Sequence, residues 1–127
     1  MAKEPSKTTI MIVDDSKTII KTAELFLKQM GYNVVPIEDG FYALAAVQDF
    51  KPDLLFLDVM MPRLDGYNTC MAIKSNPDFQ NLPIVMLTSK DGAIDKAKGA
   101  MMGCNDYLTK PFSKEAFLEC VKKNLPA

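Results

Sequence analysis

Five short runs, four of them rich in Val, Ile and Leu, at residues 9–13, 33–37, 54–57, 84–87 and 104–108, alternate along the chain with longer helix-like stretches. This order constrains the fold more than any other feature, because strands alternating with crossover helices build a parallel sheet covered on both faces. Several runs are apolar at successive positions, as strands buried on both faces must be, and the central three are expected to be fully buried. Between the first two runs, Ile20, Ala23, Leu27 and Met30 recur at three- and four-residue spacing, the stripe of a helix packed by one face. Ser16 stands where that helix needs a side-chain acceptor at its start, and Gly31 where it needs a left-handed residue at its end. Asp39, Asp65, Asp91 and Ser113 precede further helix-like stretches and are expected as caps. The pattern predicts an α/β domain of type (βα)5.

The chain has 127 residues, which fits one compact domain. Residues 1–8 read as a flexible N-terminal tail and residues 9–124 as the domain. A chain of this size buries roughly two-thirds of its unfolded surface, so packing alone can hold it without metal or disulfide. Fifteen basic and sixteen acidic side chains nearly cancel, and no long run of Lys or Arg supplies a nucleic-acid footprint. Cys70, Cys104 and Cys120 are odd in number, form no CxxC pair and have no histidine with which to complete a zinc site. They read as small buried residues in a reducing cytosol. The start, residues 1–7, is polar overall, and the apolar stretch after it ends at Asp14, too short for a signal peptide or a membrane span.

In an open parallel sheet, ligands bind beyond the carboxyl ends of the strands. Asp14 and Asp15 follow the first strand, Asp58 the third and Thr88 the fourth, while Lys110 lies just past the fifth. Three crowded carboxylates resist ionising together unless a cation offsets their repulsion, which implies a divalent metal. Magnesium suits oxygen ligands shared with phosphate and water. Asp15 and Asp58 are the expected direct ligands, with the backbone carbonyl of Met60; Asp14 is expected to act through a bound water. A carboxylate can attack phosphorus to give an acyl phosphate, and catalysis of such transfer rests on positioning and charge neutralisation. Asp58 fits the phosphoacceptor, with Lys110 and the Thr88 hydroxyl on its phosphoryl oxygens.

Taken singly, each of these residues has a plainer reading: an Asp at a strand end is usually a cap or turn former. Asp65 and Asp91 keep that reading. The methionines, including Met60-Met61 and Met101-Met102, read as packing residues, and Tyr107 can be a strand aromatic. Lys110-Pro111 is either an ordinary loop or a cis peptide that aims the lysine into the site.

The Asp14-Asp15 pair, LFLDVMMPRLDG around Asp58, Thr88-Ser89, and Tyr107 before Lys110-Pro111 together resemble the chemotaxis-type receiver domains of bacterial two-component signalling. The resemblance spans about residues 9–124. It implies a doubly wound, flavodoxin-like five-stranded parallel sheet in order 2-1-3-4-5, magnesium dependence, and phosphoryl transfer from a histidine kinase to Asp58. It further implies a cytoplasmic phosphoacceptor rather than a conventional enzyme, with Thr88 and Tyr107 as switch residues. The stretches MPRLDGYNTC, TSKDGAIDKAKG and YLTKPFSKE look like the regulator of the chemotaxis-like system that controls type IV pili and twitching motility. A downstream motility protein is expected on the face of the fourth helix, fifth strand and fifth helix; no nucleic-acid partner or membrane insertion is expected.

Rival readings lack residues they need. An aspartyl-phosphate hydrolase requires an acid two positions after the nucleophile, where this chain has Met60. A flavodoxin-like mononucleotide carrier requires a Gly-rich turn after the first strand. A receiver-shaped module working without phosphate remains as an alternative separable by measuring phosphorylation, and a phosphate sink in the same pathway is a further one.

Overall fold

The computed structural model describes residues 4–61, 64–89 and 103–125. Five parallel strands form one sheet: β1 (Thr9–Val13), β2 (Asn33–Ile37), β3 (Leu54–Asp58), β4 (Ile84–Ser89) and β5 (Asp106–Lys110), in spatial order β2-β1-β3-β4-β5. Around it lie α1 (Lys17–Gln29), α2 (Ala43–Phe50), α3 (Gly66–Lys74) and α4 (Lys114–Asn124). The helix expected last in the chain is therefore α4. The stretch expected after Asp91, with Lys90 and Met101-Met102, lies outside the described residues. The observed architecture is the doubly wound α/β fold with strand order 2-1-3-4-5.

The uninterrupted apolarity of β1, β3 and β4 has a direct cause, since period-two alternation sends successive side chains into two different cores. Met11, Val13, Leu55, Leu57, Ile84 and Met86 join Val47, Cys70 and Ile73 beneath α2 and α3. Ile10, Ile12, Leu54, Phe56, Val85 and Leu87 join Ile20, Leu27 and Phe117 beneath α1 and α4. Phe117 stacks on Phe56 at 4.9 Å and on Phe112 at 4.8 Å, contacts worth about 0.5–1.5 kcal/mol each beyond their area, and so pins α4 to the sheet. The edge strand β2 is only partly buried.

The caps act as the short polar side chains predict. Ser16 Oγ accepts from the Ile19 amide, Asp65 from Tyr67 and Ser113 from Ala116. Asp39 accepts from the Phe41 amide, but caps a single 3-10 turn, Gly40–Tyr42, that leads into α2. Gly31 closes α1 at φ +88°, the left-handed conformation expected there. Residues 5–7, read as part of a tail, form a 3-10 turn, and the Asn33 side chain donates to the Ser6 carbonyl at 2.8 Å.

Two expectations need correction. The fifth strand starts at Asp106 rather than 104 and runs to Lys110, because Asn105 is spent on β4: its carboxamide oxygen accepts from the Ile84 amide and its own amide donates to the Ile84 carbonyl. Cys70 and Cys120 are buried as expected, whereas Cys104 is only partly so. Among the described residues no helix is long and apolar enough to cross a membrane.

Candidate phosphoryl and metal site

The site is assembled by strand ends on the carboxyl edge of the sheet. The Asp14 amide donates to the Ile37 carbonyl, fixing the turn after β1 against the end of β2. The Asp14 side chain is fully buried; its Oδ1 accepts from the Ser16 amide at 2.9 Å and its Oδ2 from Lys110 Nζ at 2.9 Å. Asp58 closes β3, 4 % exposed, its main chain held in register against Leu87 of β4. Asp15 is exposed, and carboxylate oxygens of Asp14, Asp15 and Asp58 lie within 4.8 Å of one another.

Lys110 ends β5, two strands away from β3, and its long stem carries Nζ to 3.3 Å from Asp58 Oδ2 while it also holds Asp14. Alternation explains the meeting. Asp14, Asp58 and Lys110 continue the parity of Ile12, Phe56 and Leu108, all of which face the α1–α4 core. Burial lowers the pKa of the lysine, but the bond to Asp14 and the charges of Asp14 and Asp58 outweigh it and raise that pKa above the ordinary value. The Lys110-Pro111 peptide is cis.

Thr88 lies one residue beyond the β4 partner of Asp58, on the opposite parity. Its hydroxyl is buried and has no hydrogen-bond partner among the described residues. Tyr107 pairs with Met86 across β4–β5 and packs, half-buried, against the α2–α3 core, on the same sheet face as Thr88.

Among the described residues, three carboxylates against one ammonium leave a surplus of negative charge at the site, and an all-oxygen donor set suits a small hard dication. The backbone fits as well. After Val59, Met60–Met61 pairs antiparallel with Leu64–Asp65, Met60 opposite Asp65. Gly66 N–H donates to the Val59 carbonyl at 2.8 Å, so alternation makes Met60–Asp65 a non-hydrogen-bonded pair and leaves the Met60 carbonyl off that ladder. Among the described residues, Asp14, Asp15, Asp58, Thr88 and Lys110, expected from the sequence, stand at this edge, whereas Gly66, which closes the loop, was not expected. The only signal for it was the Asp-Gly dipeptide, read for its cap alone.

Comparisons with known proteins give the family. A family model described as response regulator receiver domain matches residues 10–122. Protein PilG of Pseudomonas aeruginosa is 50 % identical over 127 residues, covering all of this chain and 94 % of PilG. Chemotaxis protein CheY4 of Vibrio cholerae superposes with a TM-score of 0.87 at 31 % identity, over 93 % of this chain and 98 % of CheY4. A structure assigned as a response regulator from Chloroflexus aurantiacus gives a TM-score of 0.85 at 38 % identity, over 91 % and 95 %. With the family match running from the first strand into the last helix, the chain belongs to the response regulator receiver domains.

Proposed function

We propose that this chain is a response regulator that accepts a phosphoryl group from a histidine kinase on Asp58, with Mg2+ as cofactor, and thereby switches protein binding in the control of type IV pilus motility or chemotaxis. The observation that carries the reading is the cluster itself: buried Asp14 and Asp58 and exposed Asp15 drawn together, one lysine bridging the two buried carboxylates, and a buried threonine hydroxyl with its hydrogen-bonding capacity unused among the described residues. A carboxylate oxygen of Asp58 attacks phosphorus as the bond from phosphorus to the donor's imidazole nitrogen breaks, and the electron pair leaves with the imidazole. The product is an acyl phosphate on Asp58. Lys110, already at 3.3 Å, meets one phosphoryl oxygen and Thr88 another. Asp15, Asp58 and the Met60 carbonyl would hold Mg2+, which when bound neutralises part of the charge on carboxylates and phosphoryl alike. Asp14, both of whose oxygens are engaged, acts through water.

The added charge draws Thr88 toward Asp58 and frees room for Tyr107 on the same sheet face. The partner surface is the one formed by β5, α4 and the helix expected between β4 and β5. The pilus assignment rests on the identity to PilG, and cytoplasmic residence accords with three free thiols. Intact-mass spectrometry after a small phosphodonor tests the reading, with and without Mg2+, on the parent and on Asp58→Ala. One added phosphoryl that requires both Mg2+ and Asp58 is expected; no adduct even with a matched kinase would leave a phosphate-independent binding module.

A further inference from the structure

Gly66 opens α3, yet nothing in its backbone requires glycine: its φ is not left-handed, unlike those of Gly31 and Gly103. An alanine there would favour the helix by up to about 1 kcal/mol. What excludes a side chain is space. A Cβ on residue 66 would press into the backbone carbonyl oxygen of Asp58, and would sit 2.8 Å from Val59 Cα and 3.0 Å from the Val59 carbonyl oxygen. These neighbours are main-chain atoms, not the yielding end of a flexible side chain.

Neither side of the contact is free to retreat. Asp58 is locked in register against Leu87, and the Val59 amide donates to the Leu87 carbonyl at 3.0 Å. On the other side, the first turn of α3 is fixed by the Asp65 cap on the Tyr67 amide at 2.8 Å and by the Thr69 hydroxyl donating to the Asp65 carbonyl at 3.0 Å. Behind it, Tyr67, Cys70 and Ile73 are buried in the core beneath the sheet. The Gly66 N–H, at 2.8 Å from the Val59 carbonyl, draws the two elements together.

We infer that Gly66 is a positioning residue for the phosphoacceptor: its missing side chain lets α3 abut the peptide of Asp58 and thereby sets where the Asp58 carboxylate stands relative to Asp15, Lys110 and the Met60 carbonyl. The inference rests on Asp58 being the phosphoacceptor and deepens that reading. It also explains why Asp65-Gly66 sits where the loop after β3 must turn back: Asp65 fixes the helix start and Gly66 lets that start reach the strand end.

The test compares the parent with Gly66→Ala and Gly31→Ala. The latter forces a side chain into a left-handed position away from the site and so controls for general destabilisation. Phosphorylation rate from acetyl phosphate is read by intact mass, Mg2+ affinity of the unphosphorylated protein by calorimetry, and folding by thermal unfolding. Misplacing a reacting group by about 1 Å can cost about 100-fold, so Gly66→Ala is expected to slow phosphorylation by about 10–100-fold and to weaken Mg2+ binding by about tenfold. Gly31→Ala is expected to stay within about twofold of the parent in both while melting lower. Where Gly66→Ala does not fold at 25 °C, the series is repeated at low temperature in a stabilising osmolyte. A Gly66→Ala protein that binds Mg2+ and takes phosphoryl like the parent overturns the inference. So does one that fails to fold even in osmolyte, since the glycine would then serve the fold rather than Asp58. A parent that takes no phosphoryl refutes the functional reading instead, and is told apart by that result.

Discussion

Replacing Thr88 by valine is expected to make the resting protein more stable and the switch less effective. In the structure the Thr88 hydroxyl is buried, with no partner among the described residues. A buried hydroxyl left unpaired costs about 1–3 kcal/mol, and valine puts a methyl of similar size in its place. For a domain of this size 1 kcal/mol moves the melting temperature by roughly 3–5 °C, so Thr88→Val is expected to melt roughly 3–15 °C above the parent. Phosphorylation reverses the sign. A hydrogen bond from the threonine to a charged phosphoryl oxygen contributes roughly 1.5–3 kcal/mol, which valine cannot supply. At about 1.4 kcal/mol per factor of ten, the tightening of partner binding on phosphorylation should shrink by about 10–100-fold. Full inversion of a 1:99 equilibrium needs about 5.5 kcal/mol, so a residual response carried by Lys110 and Tyr107 is expected to survive. The assay pairs calorimetric melting of the resting proteins with titration of the partner against both phosphorylated proteins, the phosphoryl stoichiometry fixed by mass. A valine protein that melts below the parent, or equal partner binding by the two phosphorylated forms, refutes the reasoning.

Lys110→Met should flatten the alkaline limb of the stability curve. The folded pKa of Lys110 is raised, so its contribution is complete below the unfolded value of 10.5 and is lost as pH rises through the folded value; urea melts from pH 7 to 11 that run parallel for both proteins would contradict this. The thiols of Cys70 and Cys120 are pushed up by burial to about 12 and about 11, so a disulfide reagent at pH 8 should leave both unmodified in the folded chain and titrate all three thiols in denaturant. Rapid labelling of either buried thiol without unfolding would count against the packing described. In the sequence Met60 lies two residues after Asp58 and Lys90 two after Thr88; the double substitution Met60→Asn, Lys90→Glu supplies polar groups able to orient a hydrolytic water, and is expected to shorten the phosphoryl half-life, so radiolabel decay no faster than in the parent would dispose of that idea.

The strand alternation was legible because β1, β3 and β4 are buried on both faces, a demand that leaves long apolar runs in the sequence. Asp14, Asp58 and Lys110 were legible as a set because strand ends in such a sheet converge, and the cation bridging two carboxylates at 2.9 and 3.3 Å is the arrangement their charges require. What was not legible depends on long-range partners. Asn105 looks like strand sequence until its carboxamide is seen to complete the start of β4. The two-residue ladder at Met60–Met61 and Leu64–Asp65 carries no propensity signal, and the tightness around Gly66 is a property of the packed loop, absent from the dipeptide. Cys104 reads as apolar, but its thiol donates to the Asp106 carbonyl at 3.0 Å and it stays near the surface.

The sheet is a bulkhead between two cores, and β5 is where that division matters. Tyr107 packs into the compartment under α2 and α3, while its neighbour Leu108 packs into the one under α1 and α4. Adjacent residues of one strand therefore report to separate compartments. The apolar core beneath α1 and α4 can drift in sequence, provided its volume and pattern are kept, without disturbing the compartment into which Tyr107 packs. Repacking beneath α1 and α4 and preservation of the surroundings of Tyr107 thus become separate problems within one small domain.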